Sequence, residues 1–165
     1  VKNKGLWKIY TDGAVSKNGS EDAIGSWAFV IVDSAQDQVI NSSSARVIDT
    51  TNQRCELLAA YEALRFWERK NKSFEDTILY SDSAYLVNCW KDEWYIKWQA
   101  NGWRNSKREP VANQDLWEKL IPYFKDKNLV IAKVKGHSGA NDYNDIVDKL
   151  AVETRLRESD DIMLG

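Results

Sequence analysis

The sequence is poor in the residues that build soft metal sites. It has two cysteines, Cys55 and Cys89, which fall in helical patterns and form no CxxC pair, so neither a redox motif nor a cysteine zinc site is supported. With a single histidine, His137, no soft ligand set for zinc remains. No apolar run reaches the roughly 18–20 residues needed to cross a bilayer. The opening stretch "VKNKGLWKIY" moves straight into strand alternation rather than a signal-like segment. A reduced, cytoplasmic setting and no membrane partner are therefore expected. Repeats, low-complexity tracts and interdomain linkers are also lacking, and the 165 residues fit one domain with a continuous core. A strong net charge is absent too: at −2 the chain lacks the basic balance common in nucleic-acid-binding domains. The charge is uneven, however. Between Lys91 and Arg108 five cations (Lys91, Lys97, Arg104, Lys107, Arg108) face two acids (Asp92, Glu93), a local excess of +3.

The first third reads as three strands joined by short polar loops. "GLWKIYTDG" (5–13) alternates and stops at an Asp-Gly turn signal, "GSWAFVIVDS" (25–34) is apolar and β-branched, and "DQVINSSSARV" (37–47) is a polar strand at or near an edge. A helix from Asn52 to Lys70 follows, with Thr50-x-x-Gln53 as its capping box. "DTILYSD" (76–82) is a buried strand, 83–92 a helix, and a tryptophan-rich segment runs to Pro110. Residues 113–128 form a helix interrupted or bent at Pro122. A last strand spans 129–137 and a closing helix 144–157. This order predicts an α/β fold: a mixed five-stranded sheet, an antiparallel three-strand meander and then parallel strands, with helices on both faces.

Four carboxylates converge in this arrangement. "IYTDG" and "LYSDS" each place an aspartate, Asp12 and Asp82, at the carboxyl end of a buried strand, where open α/β sheets bind ligands; the competing reading is that each caps the next element. Glu56 shares a helical stripe with Ala60, Ala63 and Trp67. A carboxylate in that stripe needs a partner, and no Lys or Arg lies on it; help from the helix macrodipole is the alternative. On the closing helix Ile146, Val147, Leu150, Ala151 and Thr154 define the core side, Asp145 points away toward solvent, and Asp148 sits at the flank, able to face a cleft. Asp142 precedes the helix, in the loop or near its cap. His137 enters a loop. A cluster of acids is relieved by hard divalent cations, Mg²⁺ or Mn²⁺, which take oxygen ligands and are completed by substrate phosphates. Two such ions about 3.5–4 Å apart suit in-line attack on a phosphodiester.

"YTDGA", "TTNQRCELLAA", "LYSDSAYLVN", "NGWRNSKREPVANQDLW" and "VKGHSGANDYNDIVDKLA", in this order and over nearly the whole chain, resemble ribonuclease H type 1. The resemblance implies a ribonuclease H-like fold and an endonuclease that cuts the RNA strand of RNA–DNA hybrids with two Mg²⁺ ions (Mn²⁺ as substitute), leaving 5′-phosphate and 3′-hydroxyl ends. Carried over by motif, Asp12, Glu56, Asp82 and Asp148 are the catalytic, metal-holding set, Asp12 bridging both ions. His137 matches a mobile-loop histidine that assists water activation or product release. Asn18, Thr51, Asn52 and Gln53 match positions that contact the hybrid in its minor groove, and Asn113 matches a DNA-strand phosphate contact. The segment 90–112 resembles a basic protrusion, or handle. There Trp90, Trp94 and Trp98 recur at helical spacing and read as packing, whereas Lys97, Trp103, Arg104, Lys107 and Arg108 are candidates for the DNA strand.

Three positions depart from the family pattern. Ala84 stands where many relatives carry Gln, Asp49 where an Arg grips a phosphate, and the loop from His137 to Asp148 is one residue longer than the common bacterial form. The expected organisation is one catalytic domain over 1–158, acting as a monomer, with 159–165 a disordered tail. A hybrid-binding module that has lost its chemistry, and a related superfamily nuclease acting on DNA, are the competing readings. The first gains nothing from a repulsive acid cluster, and the second does not need the 90–113 segment.

Overall fold

Long antiparallel strands open the fold and set the position of everything after them. The computed structural model describes residues 4–18, 21–71, 73–134 and 142–157. Strands β1 (Trp7–Ser16), β2 (Ile24–Asp33) and β3 (Gln38–Ile48) form the meander, with a bulge at Ile40 of β3, opposite Ile31 and Val32. Helix α1 (Asn52–Asn71) then crosses to β4 (Thr77–Ser81), which pairs parallel to β1. After α2 (Ala84–Asp92), α3 (Trp94–Ala100) and α4 (Gln114–Phe124), strand β5 (Val130–Lys133) adds parallel to β4. Helix α5 (Tyr143–Arg155) closes the order. The sheet reads β3-β2-β1-β4-β5, the mixed five-stranded arrangement expected.

Both sheet faces are covered, which is why β2 reads as a nearly unbroken apolar run from Ala28 to Val32. On one face Ile9, Phe29, Ile31 and Leu79 pack with Leu57, Ala60 and Leu64 of α1 and with Trp117 and Leu120 of α4. On the other, Ala28 and Val30 meet Val147 and Ala151 of α5, flanked by Tyr10, Ala14 and Leu150.

Several local expectations are corrected. β1 does not stop at Asp12-Gly13 but stays paired with β2 out to Ser16↔Ile24. The residue capping α1 is Thr51, whose Oγ1 accepts the Arg54 N–H at 3.1 Å, while Thr50 is buried with its hydroxyl against Cys55. Helix α4 passes through Pro122 and ends at Phe124, and Lys125 N–H closes back on the Ile121 carbonyl. Strand β5 ends at Lys133. Glu93, at φ 54°, separates α2 from α3, so Trp90 stands on a different helix from Trp94 and Trp98. Ile146 is 43 % exposed rather than in the core; the buried side of α5 is Asn144, Val147, Ala151 and Thr154. These four span a narrow arc of the helical wheel, and Ile146 falls beyond its edge.

Candidate active site

The site forms where the sheet changes partners. β1 and β4 pair only from Trp7↔Thr77 to Tyr10↔Tyr80. Beyond that point β1 continues with β2 alone, and β4 ends at Ser81. Asp12 therefore lies inside a strand yet just past the last parallel pair, and Asp82 follows the end of β4. Thr11 Oγ1 ties the two strands there by donating to the Tyr80 carbonyl at 3.0 Å.

Two glycines bring α1 down onto this point. A Cβ on Gly13 would lie 2.7 Å from the Cys55 Cβ and 2.9 Å from the Glu56 nitrogen; one on Gly25 would lie 2.6 Å from the Cys55 sulfur. The Asp-Gly pair thus serves close helix–sheet approach rather than a turn. Replacing Gly13 by Ala should force α1 outward. The expected result is a melting temperature lower by about 5 °C, from overpacking of roughly 1–3 kcal/mol, with an activity loss greater than tenfold. A thermal melt and a rate measurement check it, and wild-type values in both would refute the account of Gly13.

One oxygen from each of Asp12, Glu56 and Asp82 lies within 4.8 Å of the others. Asp12 and Glu56 are buried and Asp82 is exposed. Asp12 Oδ1 accepts the Gly13 N–H at 2.9 Å. Burial, hydrogen bonding to Asp148 and the charges of Asp82 and Asp148 push the Asp12 carboxyl up to about 8. Burial, with Asp12 and Asp82 close by, also drives Glu56 well above the carboxylate range. Burial raises Asp82 as well, against the opposing influence of Lys133. Among the described residues, Glu56 Oε2 is buried without a hydrogen-bond partner. An acid cluster with an orphaned buried oxygen fits hard divalent cations, which take oxygen ligands only.

Asp148 stands outside this group of three but reaches Asp12 from α5, on an exposed flank. Its helix is tied to the sheet by Ser26 Oγ donating to the Ala151 carbonyl and by a 2.7 Å bond between Ser44 and Thr154. Asp142 caps the helix, accepting the Asn144 N–H at 2.8 Å. Asp145, opposite the buried side, is half-buried rather than fully in solvent. His137, the longer loop before Asp142 and the tail 159–165 lie outside the described residues.

The other candidate residues fall into two groups beside the acids. Thr51, Asn52 and Gln53 are exposed at the start of α1, and Asn18 Oδ1 accepts the Asn52 N–H at 3.0 Å. Asn113 precedes α4 at φ 63°. In the second group Lys97, Arg104, Lys107 and Arg108 are exposed. They sit on and after α3 in a hairpin braced by Asn101, which bonds both backbone groups of Arg104, and by Asn105 Oδ1, which accepts from Lys107 and Glu109. Trp103 is half-buried against Trp98, ring centroids 5.8 Å apart, so it shares the packing of Trp94, Trp98 and Trp117. Ala84 and Asp49 are both exposed. Sequence reasoning missed the roles of Gly13, Gly25 and Ser26; only the Asp-Gly pair gave a signal, and it was read as a turn.

Comparison with known proteins settles the family. The RNase H family profile matches residues 4–155. The chain belongs to the ribonuclease H family. Relatives named Ribonuclease H include one from Syntrophomonas wolfei, 46% identical over 143 residues that cover 87% of this chain and 91% of that protein. Another, from Caldanaerobacter subterraneus, is 42% identical over 151 residues, 92% of each chain. The fold is shared with the PFV RNase H domain (TM-score 0.72, 23% identity, 91% of this chain and 94% of that one). It is shared also with LC11-RNase H1 in complex with RNA/DNA hybrid (TM-score 0.62, 23% identity, 96% and 99% covered). Membership makes the chain a nuclease hydrolase of a family that uses divalent metal. No helix among the described residues is long and apolar enough to cross a membrane.

Proposed function

We propose that this enzyme is an endonuclease of type 1 that hydrolyses the RNA strand of RNA–DNA hybrids, with two Mg²⁺ ions, leaving 5′-phosphate and 3′-hydroxyl ends. The observation that carries the reading is the convergence of Asp12, Glu56 and Asp82 within 4.8 Å, with Glu56 Oε2 buried and without a hydrogen-bond partner among the described residues. Such a group gains nothing as a structural element, since burial and mutual repulsion hold its protons on. Divalent cations bound there supply charge stabilisation to phosphoryl oxygens and an activated water. Asp12, which interacts with both Glu56 and Asp148, would hold the ions together with them. Glu56 would complete the buried side, and Asp82 and Asp148, both exposed, would face the cleft. His137 assists water activation or product release.

The flanking surfaces suit a hybrid. Asn18, Thr51, Asn52 and Gln53 offer short amides and hydroxyls to the minor groove, where 2′-hydroxyls distinguish RNA from DNA. Asn113 and the cations Lys97, Arg104, Lys107 and Arg108 address phosphates of the DNA strand, and Trp103 braces the hairpin that carries them. Residues 1–158 act as one catalytic domain with 90–112 as its basic handle. The enzyme works as a monomer in the cytoplasm, where Cys55 and Cys89, both buried and free, stay reduced.

Incubation with labelled RNA–DNA hybrid, duplex DNA and duplex RNA, each with Mg²⁺ or EDTA, tests the proposal. Cutting of the RNA in the hybrid alone, abolished by EDTA, is expected. Equal cutting of duplex DNA, or hydrolysis that survives chelation, would sink it.

A further inference from the structure

Arg54 occupies the first turn of α1, between the exposed Thr51–Gln53 run and the buried Glu56. Its side chain does not point outward as a phosphate-binding cation would. It crosses to the start of α4, where Nη1 donates to Asp115 Oδ1 at 3.0 Å and Nη2 to Asp115 Oδ2 at 2.8 Å. Nη1 also donates to Asn113 Oδ1 at 3.2 Å. These partners lie 59 and 61 residues away in the chain. The planar fork of a guanidinium fixes both distance and orientation in such a pair, which a lysine cannot do. The pairing holds the Asp115 carboxyl below its ordinary range.

Asn113 gains most from this arrangement. It makes no side-chain cap to α4. With its oxygen committed to Arg54, the amide NH₂ turns to the other side, where it makes no hydrogen bond among the described residues. A phosphate oxygen only accepts hydrogen bonds, so an Asn turned the other way would present a carbonyl and repel it. Asp115 neutralises Arg54 and keeps it from competing for the same phosphate.

We propose that Arg54 is a positioning residue for hybrid binding: its bridge to Asp115 and Asn113 sets the spacing between the α1 minor-groove segment and the α4 phosphate contact, and turns the Asn113 amide donor toward the DNA strand. The inference rests on the functional reading above. It assigns no direct substrate contact to Arg54.

The test is steady-state cleavage of a labelled RNA–DNA hybrid by the full chain over a range of salt concentrations. Wild type is compared with Arg54→Ala, Arg54→Lys, Asp115→Asn, Asn113→Ala and the Arg54→Ala/Asn113→Ala double variant. Both Arg54 variants should raise KM about tenfold with kcat within about twofold, and the salt dependence of KM should keep the wild-type slope. The double variant should be no weaker than the worse single one, because Arg54 acts through Asn113. An unchanged KM, or additive losses in the double variant, overturns the proposal. So does a salt slope shallower by about 0.9, the signature of a lost phosphate contact. Arg54→Lys keeps the side-chain stem, and Asp115→Asn breaks the bridge from the other helix, so a poorly folded Arg54→Ala still leaves a decisive comparison. Wild type that fails to cut the hybrid overturns the functional reading and this inference with it. Wild type that cuts, with Arg54 and Asp115 variants indistinguishable from it, overturns only the positioning role.

Discussion

Asp12→Asn is expected to lower hydrolysis of the hybrid by about a thousandfold or more and, in the same protein, to raise the melting temperature of the metal-free form at pH 8. The two effects share a cause. The Asp12 carboxyl stands at about 8 in the folded protein against an ordinary 3.8, and Glu56 is displaced in the same direction. Between about pH 4 and pH 8 the folded state thus holds protons that the unfolded chain has released. The stability associated with Asp12 is fully present below pH 4 and is lost as pH rises through 8. Metal-free wild type should therefore melt progressively lower across that window. Asparagine carries no titrating proton and relieves the repulsion on Glu56, so the variant should keep a flatter profile and melt on the order of 5 °C higher at pH 8. Melting curves in EDTA from pH 5 to pH 8, repeated with added Mg²⁺, check this. Wild type should gain more from the ion than the variant does. A metal-free variant that melts no higher than wild type at pH 8 would contradict the electrostatic account.

The second large effect separates two aspartates one helical turn apart. Asp148→Asn should remove most activity, about a hundredfold or more, while Asp145→Asn should stay within about twofold of wild type. Both lie on α5, but Asp148 reaches Asp12 and Asp145 sits opposite the buried side. Parallel rate measurements on the two variants decide it. Loss at Asp145 with Asp148 silent would mean that the helix presents a different register to the acids.

How far the sequence reveals this site depends on the kind of information each residue carries. The Glu56 stripe was legible because helical periodicity is local: Ala60, Ala63 and Trp67 are all buried with it. The parallel–antiparallel order of the sheet followed from which strands are joined by short loops and which by helices. The length of each pairing did not, because it depends on where β4 stops relative to β1. Asp12-Gly13 therefore read as a turn, although the strand runs on to Ser16. Glu93, Asn113 and Asp49 adopt left-handed backbone without being glycine, and nothing in the chain marks them, so Trp90, Trp94 and Trp98 read as one helical face although Glu93 divides them between α2 and α3. The Arg54–Asp115 bridge joins residues whose nearness exists only after folding. Chemical identity pointed to the acids; the supports that hold them are long-range.

The unequal thickness of the two layers has a consequence of its own. The face that carries α1 is built on Trp67, Trp117, Phe29 and many leucines, whereas α5 rests on Ala28, Val30, Val147 and Ala151. Less buried hydrocarbon means a lower free energy for local opening. The carboxylates are thus divided between a layer with a large core, which holds Asp12 and Glu56, and a helix that rests on a smaller one. The layer that carries Asp148 is therefore the one expected to open first as denaturant rises, ahead of the layer that holds Asp12 and Glu56.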